Sequence, residues 1–173
     1  MNQTSLCSIL EDQTRRALWE VKNVLDCIPD ERWDTPYAQM PVWKHVYHML
    51  HSLDRWFINP RDLDFREPDF HEPNLNNLDV PTQKRLTRQQ LEQYLRQTGD
   101  KALQYITQLT DDSLLEYPPH SEYTCFTLIL GQLRHLHTHM GMLMGFLVAD
   151  ENRWPYVLGL EQDIPQGAYP KYF

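Results

Sequence analysis

Cysteine is scarce in this chain of 173 residues, and the three present (Cys7, Cys27, Cys125) are odd in number and far apart. That spacing fits neither a zinc knuckle nor a disulfide framework, and it reads as reduced, partly buried thiols of a cytoplasmic protein. An excess of basic charge is also missing. With 16 Lys and Arg against 24 Asp and Glu, the net charge is −8, and no basic run interrupts that balance. A phosphate-binding surface needs clustered cations, so nucleic acid is not expected as a partner. A long apolar run is lacking too: the richest stretch, about residues 125–149, carries three histidines and an arginine and makes a poor membrane span. The opening MNQTSLCSILEDQTRR has no basic region followed by an apolar segment, so no secretory signal is expected. Nor is there a strand pattern.

Helical periodicity is abundant. The length suits one domain over residues 1–173, with a sizeable core. Residues 4–28 carry Leu6, Leu10, Ala17, Val21, Val24, Leu25 and Ile28 at spacings of three, four and seven, one face of an amphipathic helix. The Pro- and Asp-rich stretch IPDERWDTPYAQMP ends it. A second helix starts near Pro41 and places Val42, Val46, Met49, Leu50, Leu53, Trp56 and Phe57 on one face, before Asn59-Pro60 stops it. Residues 58–86 hold four prolines and no lasting period, an unusually long connection for a compact domain. The third helix opens at Thr87 with the capping-box pattern Thr87-x-x-Gln90. The fourth runs from about Thr124 to Ala149, leaving residues 150–173 as a tail whose aromatic end, YPKYF, is expected to fold back onto the bundle.

These features predict an all-α, four-helix bundle over about residues 4–149. Short links make helices one and two, and three and four, antiparallel. The long crossover between helices two and three returns the chain along the bundle and gives up-down-down-up topology.

The segment LRHLHTHMGM places histidine at every second position, but a helix advances about 100° per residue. His135 and His139 therefore share a face one turn apart, where two imidazoles reach one ion, and His137 points elsewhere as a surface or interface residue. On helix two, His45, His48 and His51 lie outside the apolar stripe. His45 and His48 sit about 80° and 140° to one side of it; His139 and His135 sit about 90° and 130° off the stripe of helix four in the same rotational sense. For antiparallel neighbours such flanks face each other, so a histidine of helix two can meet the pair. Three neutral imidazoles with an open fourth position make a metal site of catalytic type, for which zinc and nickel are both suited. His45 and His51 otherwise read as solvated surface, and His71 and His120 as exposed loop residues or supports for a ligand. Met140, Met142 and Met144 read as adaptable packing. Asp54 either orients a ligand imidazole or pairs with Arg55.

At WKHVYHMLHSLDRW and HLHTHMG the chain resembles the DinB-like superfamily of metal-binding four-helix bundles, over roughly residues 4–149. The resemblance implies a divalent nickel or zinc ion held by one histidine of helix two and two of helix four, the latter being His135 and His139. Counted from Trp43, branches of the family place the helix-two ligand at either His48 or His51, and the stripe geometry favours His48. Met140 and Met142 stand where the family often has arginine and a polar residue. The resemblance further implies a metal-dependent transferase in which the ion activates a low-molecular-weight thiol toward a small-molecule substrate, with pairing into a homodimer. A metal-water hydrolase, or a non-catalytic metal-binding or stress-linked bundle, are the alternatives. Loops 58–86 and 110–123 are the expected walls of the pocket.

Overall fold

Three of the four long helices open on a hydroxyl that satisfies a free backbone N–H of the first turn. In this computed structural model, which describes residues 5–173, Ser5 accepts from the Ser8 amide ahead of α1 (Leu6–Cys27). Thr87 and Gln90 form a reciprocal capping box ahead of α3 (Arg88–Gln108). Thr124 accepts from the Thr127 amide ahead of α4 (Cys125–Glu151), which ends on Asn152 in the left-handed conformation. Pro41 precedes α2 (Val42–Trp56). Residue 4, where the sequence pattern starts helix one, lies outside the described residues.

The side chains that tie helix ends together also set the directions. Asp111, beyond the end of α3, accepts from the Leu6 and Cys7 amides at the start of α1, each at 3.0 Å. At the opposite end Arg88, opening α3, donates to the carbonyls of Leu25 and Ile28 where α1 finishes. Helices α1 and α3 are therefore antiparallel, with side chains at the two ends of α3 covering unsatisfied backbone groups at both ends of α1. Tyr47 meets Tyr94, and ten residues on Phe57 meets Tyr105, so α2 and α3 run parallel. Tyr37, just before α2, touches Phe146, whereas His48 touches His139, so α4 runs against α2. The result is the up-down-down-up bundle, with α2 packed on α4 and α3, and α1 on α3 and α4. Val21, Val46, Leu50, Leu91, Ile129 and Leu143 are among the fully buried residues of its core, each contributing about 1.5–3 kcal/mol by leaving water.

Two features depart from the sequence pattern. Pro36–Tyr37 (β1) and Met40–Pro41 (β2) pair as a minute antiparallel hairpin around Ala38 and Gln39, both at positive φ; strands of two residues are too short to carry an alternation. And α2 ends at Trp56 after 15 residues, so Phe57, which the sequence pattern puts on its apolar face, caps the helix instead.

The crossover is ordered by contacts with the helix it retraces. Glu67 meets His51, His71 meets Tyr47, the Asn76 carbonyl meets His48 and the Val80 carbonyl accepts from Lys44, so successive crossover residues step back toward the start of α2. Leu75 and Leu86 are fully buried anchors along this path, and the Trp33 indole donates to the Leu86 carbonyl at 2.9 Å. The C-terminal tail lies on the second half of α1: Asn23 donates to the carbonyls of Tyr156 and Lys171, and the Tyr172 hydroxyl to that of Cys27.

Candidate metal centre

Helix α2 presents His48 toward α4, and α4 presents His135 and His139 one turn apart toward α2. Their ligand nitrogens lie within 4.8 Å of one another, and ring centroids are separated by 4.4 Å for His48–His139 and His135–His139 and 5.4 Å for His48–His135. His48 Nδ1 donates to the Asn76 carbonyl at 2.7 Å, so its Nε2 carries the lone pair. That Nε2 sits 3.1 Å from His139 Nε2. Two nitrogens on one tetrahedral zinc-like ion, each about 2.05 Å from it, are about 3.3 Å apart, so the pair is already near ligand spacing. The backbone contact that fixes the His48 tautomer is the kind of support metal-bound imidazoles have.

The rest of the local electrostatics favours neutral rings. Burial, followed by the neighbouring imidazoles, pushes the His139 pKa down to about 4, and burial lowers that of His135 as well. His135 Nδ1 and His139 Nδ1 are buried without a hydrogen-bond partner, a cost of about 1–3 kcal/mol for each polar group so stranded. Neutral, partly desolvated imidazoles fit a divalent ion, which needs deprotonated nitrogen donors.

His51 does not join this group. It is 6% exposed, covered by the crossover rather than solvated, with its Nε2 2.7 Å from Glu67 Oε2 and its ring stacked on His71. His45 is likewise buried, donating to the Tyr37 carbonyl in the hairpin at 2.7 Å. Both were expected at the surface; the aperiodic segments that cover them leave no mark in the pattern of α2. His71 is part of the His51 cluster and His120 is exposed. His137 is half-exposed with Nε2 3.7 Å from Glu20. Asp54 neither orients a ligand nor pairs with Arg55: it accepts from Tyr94 at 2.8 Å and Lys101 at 2.5 Å, while Arg55 stacks on Phe65. Met140 is buried and Met144 packs against the core. All three cysteines are free, Cys27 and Cys125 buried.

A cleft of about 520 Å³ is bordered by Trp56, Tyr123, Phe126 and Arg134, and of the three histidines His135 lines it. Residues 58–64 and 116–120 wall a different cleft, with Tyr105 and Cys125, which none of the three histidines lines.

The DinB superfamily model matches residues 12–143, well over half of the chain. The chain belongs to the DinB superfamily. No curated protein and no solved structure matches it. In this DinB-superfamily chain the matched region takes in all of α2 and α3 and the His135/His139 pair. Among the described residues no helix is long and apolar enough to cross a membrane.

Proposed function

We propose that this DinB-superfamily protein binds a divalent ion, zinc or nickel, through His48, His135 and His139, and acts as a metal-dependent thiol transferase on a small molecule. The observation that carries the reading is the convergence of three imidazole nitrogens within 4.8 Å, in a group that, among the described residues, contains no fourth His, Cys, Asp or Glu ligand. Closed structural sites use four protein ligands, and three with an open position is the arrangement of catalytic centres. A divalent ion in such a site lowers the pKa of a bound thiol or water, supplying a nucleophile at neutral pH.

The chain's own residues do the remaining work. His48 is held by the Asn76 carbonyl in the tautomer that offers Nε2. Burial keeps His135 and His139 neutral, so both remain donors at pH 7. The adjoining cleft offers Trp56 and Phe126 as apolar surface and Arg134 as a cation, a combination suited to a small thiol carrying a carboxylate. The protein is expected to act in the cytoplasm, without a nucleic acid or membrane partner and as a homodimer.

Elemental analysis of protein purified without chelators, followed by cobalt substitution and addition of candidate thiols, tests this reading. Wild type is expected to retain stoichiometric metal, and its cobalt spectrum to shift when the right thiol occupies the open position. Absence of stoichiometric metal would sink the centre itself. A cobalt spectrum indifferent to every thiol would sink the transferase, leaving a metal-water hydrolase or a purely structural ion.

A further inference from the structure

A second cluster of metal-type donors lies about one turn further along α2 and shares no residue with the first. His51 Nε2 is 2.7 Å from Glu67 Oε2, and His71 Nδ1 is 3.9 Å from the same oxygen. The two rings are stacked, 5.1 Å between centroids and 16° from parallel, so both turn a nitrogen toward one carboxylate oxygen. All three ligand atoms fall within 4.8 Å of one another. The two measured separations bracket the roughly 3.3 Å expected between donors on one small tetrahedral ion.

Charge points the same way. Among the described residues, the ion-pair contacts of Glu67 are with these two imidazoles alone. The basic groups close by are engaged elsewhere, Lys101 with Asp54 and Arg55 with the Phe65 ring. Among the described residues, the carboxylate thus has two imidazoles and no lysine or arginine within 4.0 Å, in a chain of net charge −8. His51 is buried, His71 is 14% exposed at the side chain and Glu67 is 44% exposed, which leaves one open side for an ion to enter. The Tyr47 hydroxyl lies 2.6 Å from the same His71 Nδ1, so an ion bound through that nitrogen takes the place of this hydrogen bond.

We propose that His51, Glu67 and His71 form a second divalent-metal site, one that clamps the crossover to α2. Two imidazoles and one carboxylate select zinc and its transition-metal neighbours, whereas calcium and magnesium prefer all-oxygen sites. The site does not depend on the proposed activity.

The test titrates full-length, metal-free protein with zinc and with cobalt, counting bound equivalents. Wild type is expected to bind two. The variant His135→Ala/His139→Ala, checked for retained helicity by circular dichroism, is expected to bind one, and adding Glu67→Gln to it is expected to remove that one. Glutamine still accepts a hydrogen bond from His51 and loses only the charge, so lost binding would not reflect a broken lock. In the two-histidine variant, zinc should also slow amide exchange across residues 67–76. A folded His135→Ala/His139→Ala protein that binds no zinc would overturn the proposal, as would an equivalent that survives Glu67→Gln. Should the two-histidine variant fail to fold, Glu67→Gln alone decides: a fall from two equivalents to one supports the second site, and an unchanged number overturns it. Wild type that binds one ion, lost on Glu67→Gln and kept on His135→Ala/His139→Ala, would uphold this site and reject the first.

Discussion

The two histidine clusters on α2 are three residues apart in sequence and are built in different ways. His48 meets two residues of another long helix, so the scaffold on both sides is rigid and the spacing follows from helix geometry. His51 meets two residues of a crossover without regular structure, so its cluster exists only while residues 58–86 lie down on α2. A site between two helices is as stable as the bundle. A site between a helix and a loop opens with the loop, through local unfolding at a fraction of the global free energy.

The contrast is broken or sharpened most directly by removing one imidazole from each cluster. His48→Ala is expected to weaken binding of the ion at His135 and His139 by about a hundredfold or more, since loss of even a supporting group costs about 10–100-fold. His51→Ala should leave that ion bound, and should instead speed amide exchange across the crossover. Metal content and hydrogen exchange on both variants check this. If His51→Ala released the ion as fully as His48→Ala, the clusters would be one unit and His51 would return as a ligand of the first site.

The difference also explains what the sequence reveals. His135, His139 and the flank of α2 that carries His48 are legible because each sits in a long periodic helix, where rotation from the apolar stripe fixes direction. The up-down-down-up path is legible from link lengths, since a 29-residue aperiodic connection between two helices implies a return along the bundle. The burial of His45 and His51 is not legible: their covers are a four-residue hairpin core and a crossover, and neither has a period that gives a facing direction. Glu67 and His71 stand four apart in a proline-rich segment; the one clue to their placement is the length of that segment, which demands a structural reason. Asp54 is missed for the same kind of reason, because Lys101 and Tyr94 come from a helix whose register against α2 no spacing rule supplies.

Acid should separate the clusters from the surface histidines, with an effect of intermediate size. Burial lowers the pKa values of His45, His51, His135 and His139 below the usual 6.5, the last to about 4. Below pH 6.5 the unfolded chain therefore binds protons that the folded, metal-free chain resists, and stability is lost as pH falls toward 4. The slope reaches about 1.4 kcal/mol per pH unit for each histidine that charges only on unfolding. His137, raised chiefly by its Glu20 contact, works in the opposite sense and loses its contribution as pH rises. Thermal melts of metal-free wild type between pH 7 and 4.5 should thus fall more steeply than those of His135→Ala/His139→Ala, and equal slopes would mean that these two imidazoles are not buried neutral. Saturating ion at about a hundredfold over its dissociation constant adds about 2.7 kcal/mol, or about 5–10 °C in Tm for a chain of this length.

The smallest change expected is from Tyr47→Phe. Tyr47 is fully buried between His71, Phe70 and Tyr94, and the substitution keeps the ring while deleting the hydroxyl that contacts His71 Nδ1. One buried hydrogen bond is lost, at about 1 kcal/mol, and Tm should fall by about 2–4 °C. The phenol lies on the turn that also carries His48, yet its hydroxyl serves the crossover. Its removal should loosen residues 67–76 in hydrogen exchange and leave the affinity of His48, His135 and His139 for zinc unchanged. A drop in that affinity would mean that the crossover, through the Asn76 carbonyl on His48 Nδ1, transmits its order to the site between the helices, and that the rigid cluster borrows its geometry from the loop.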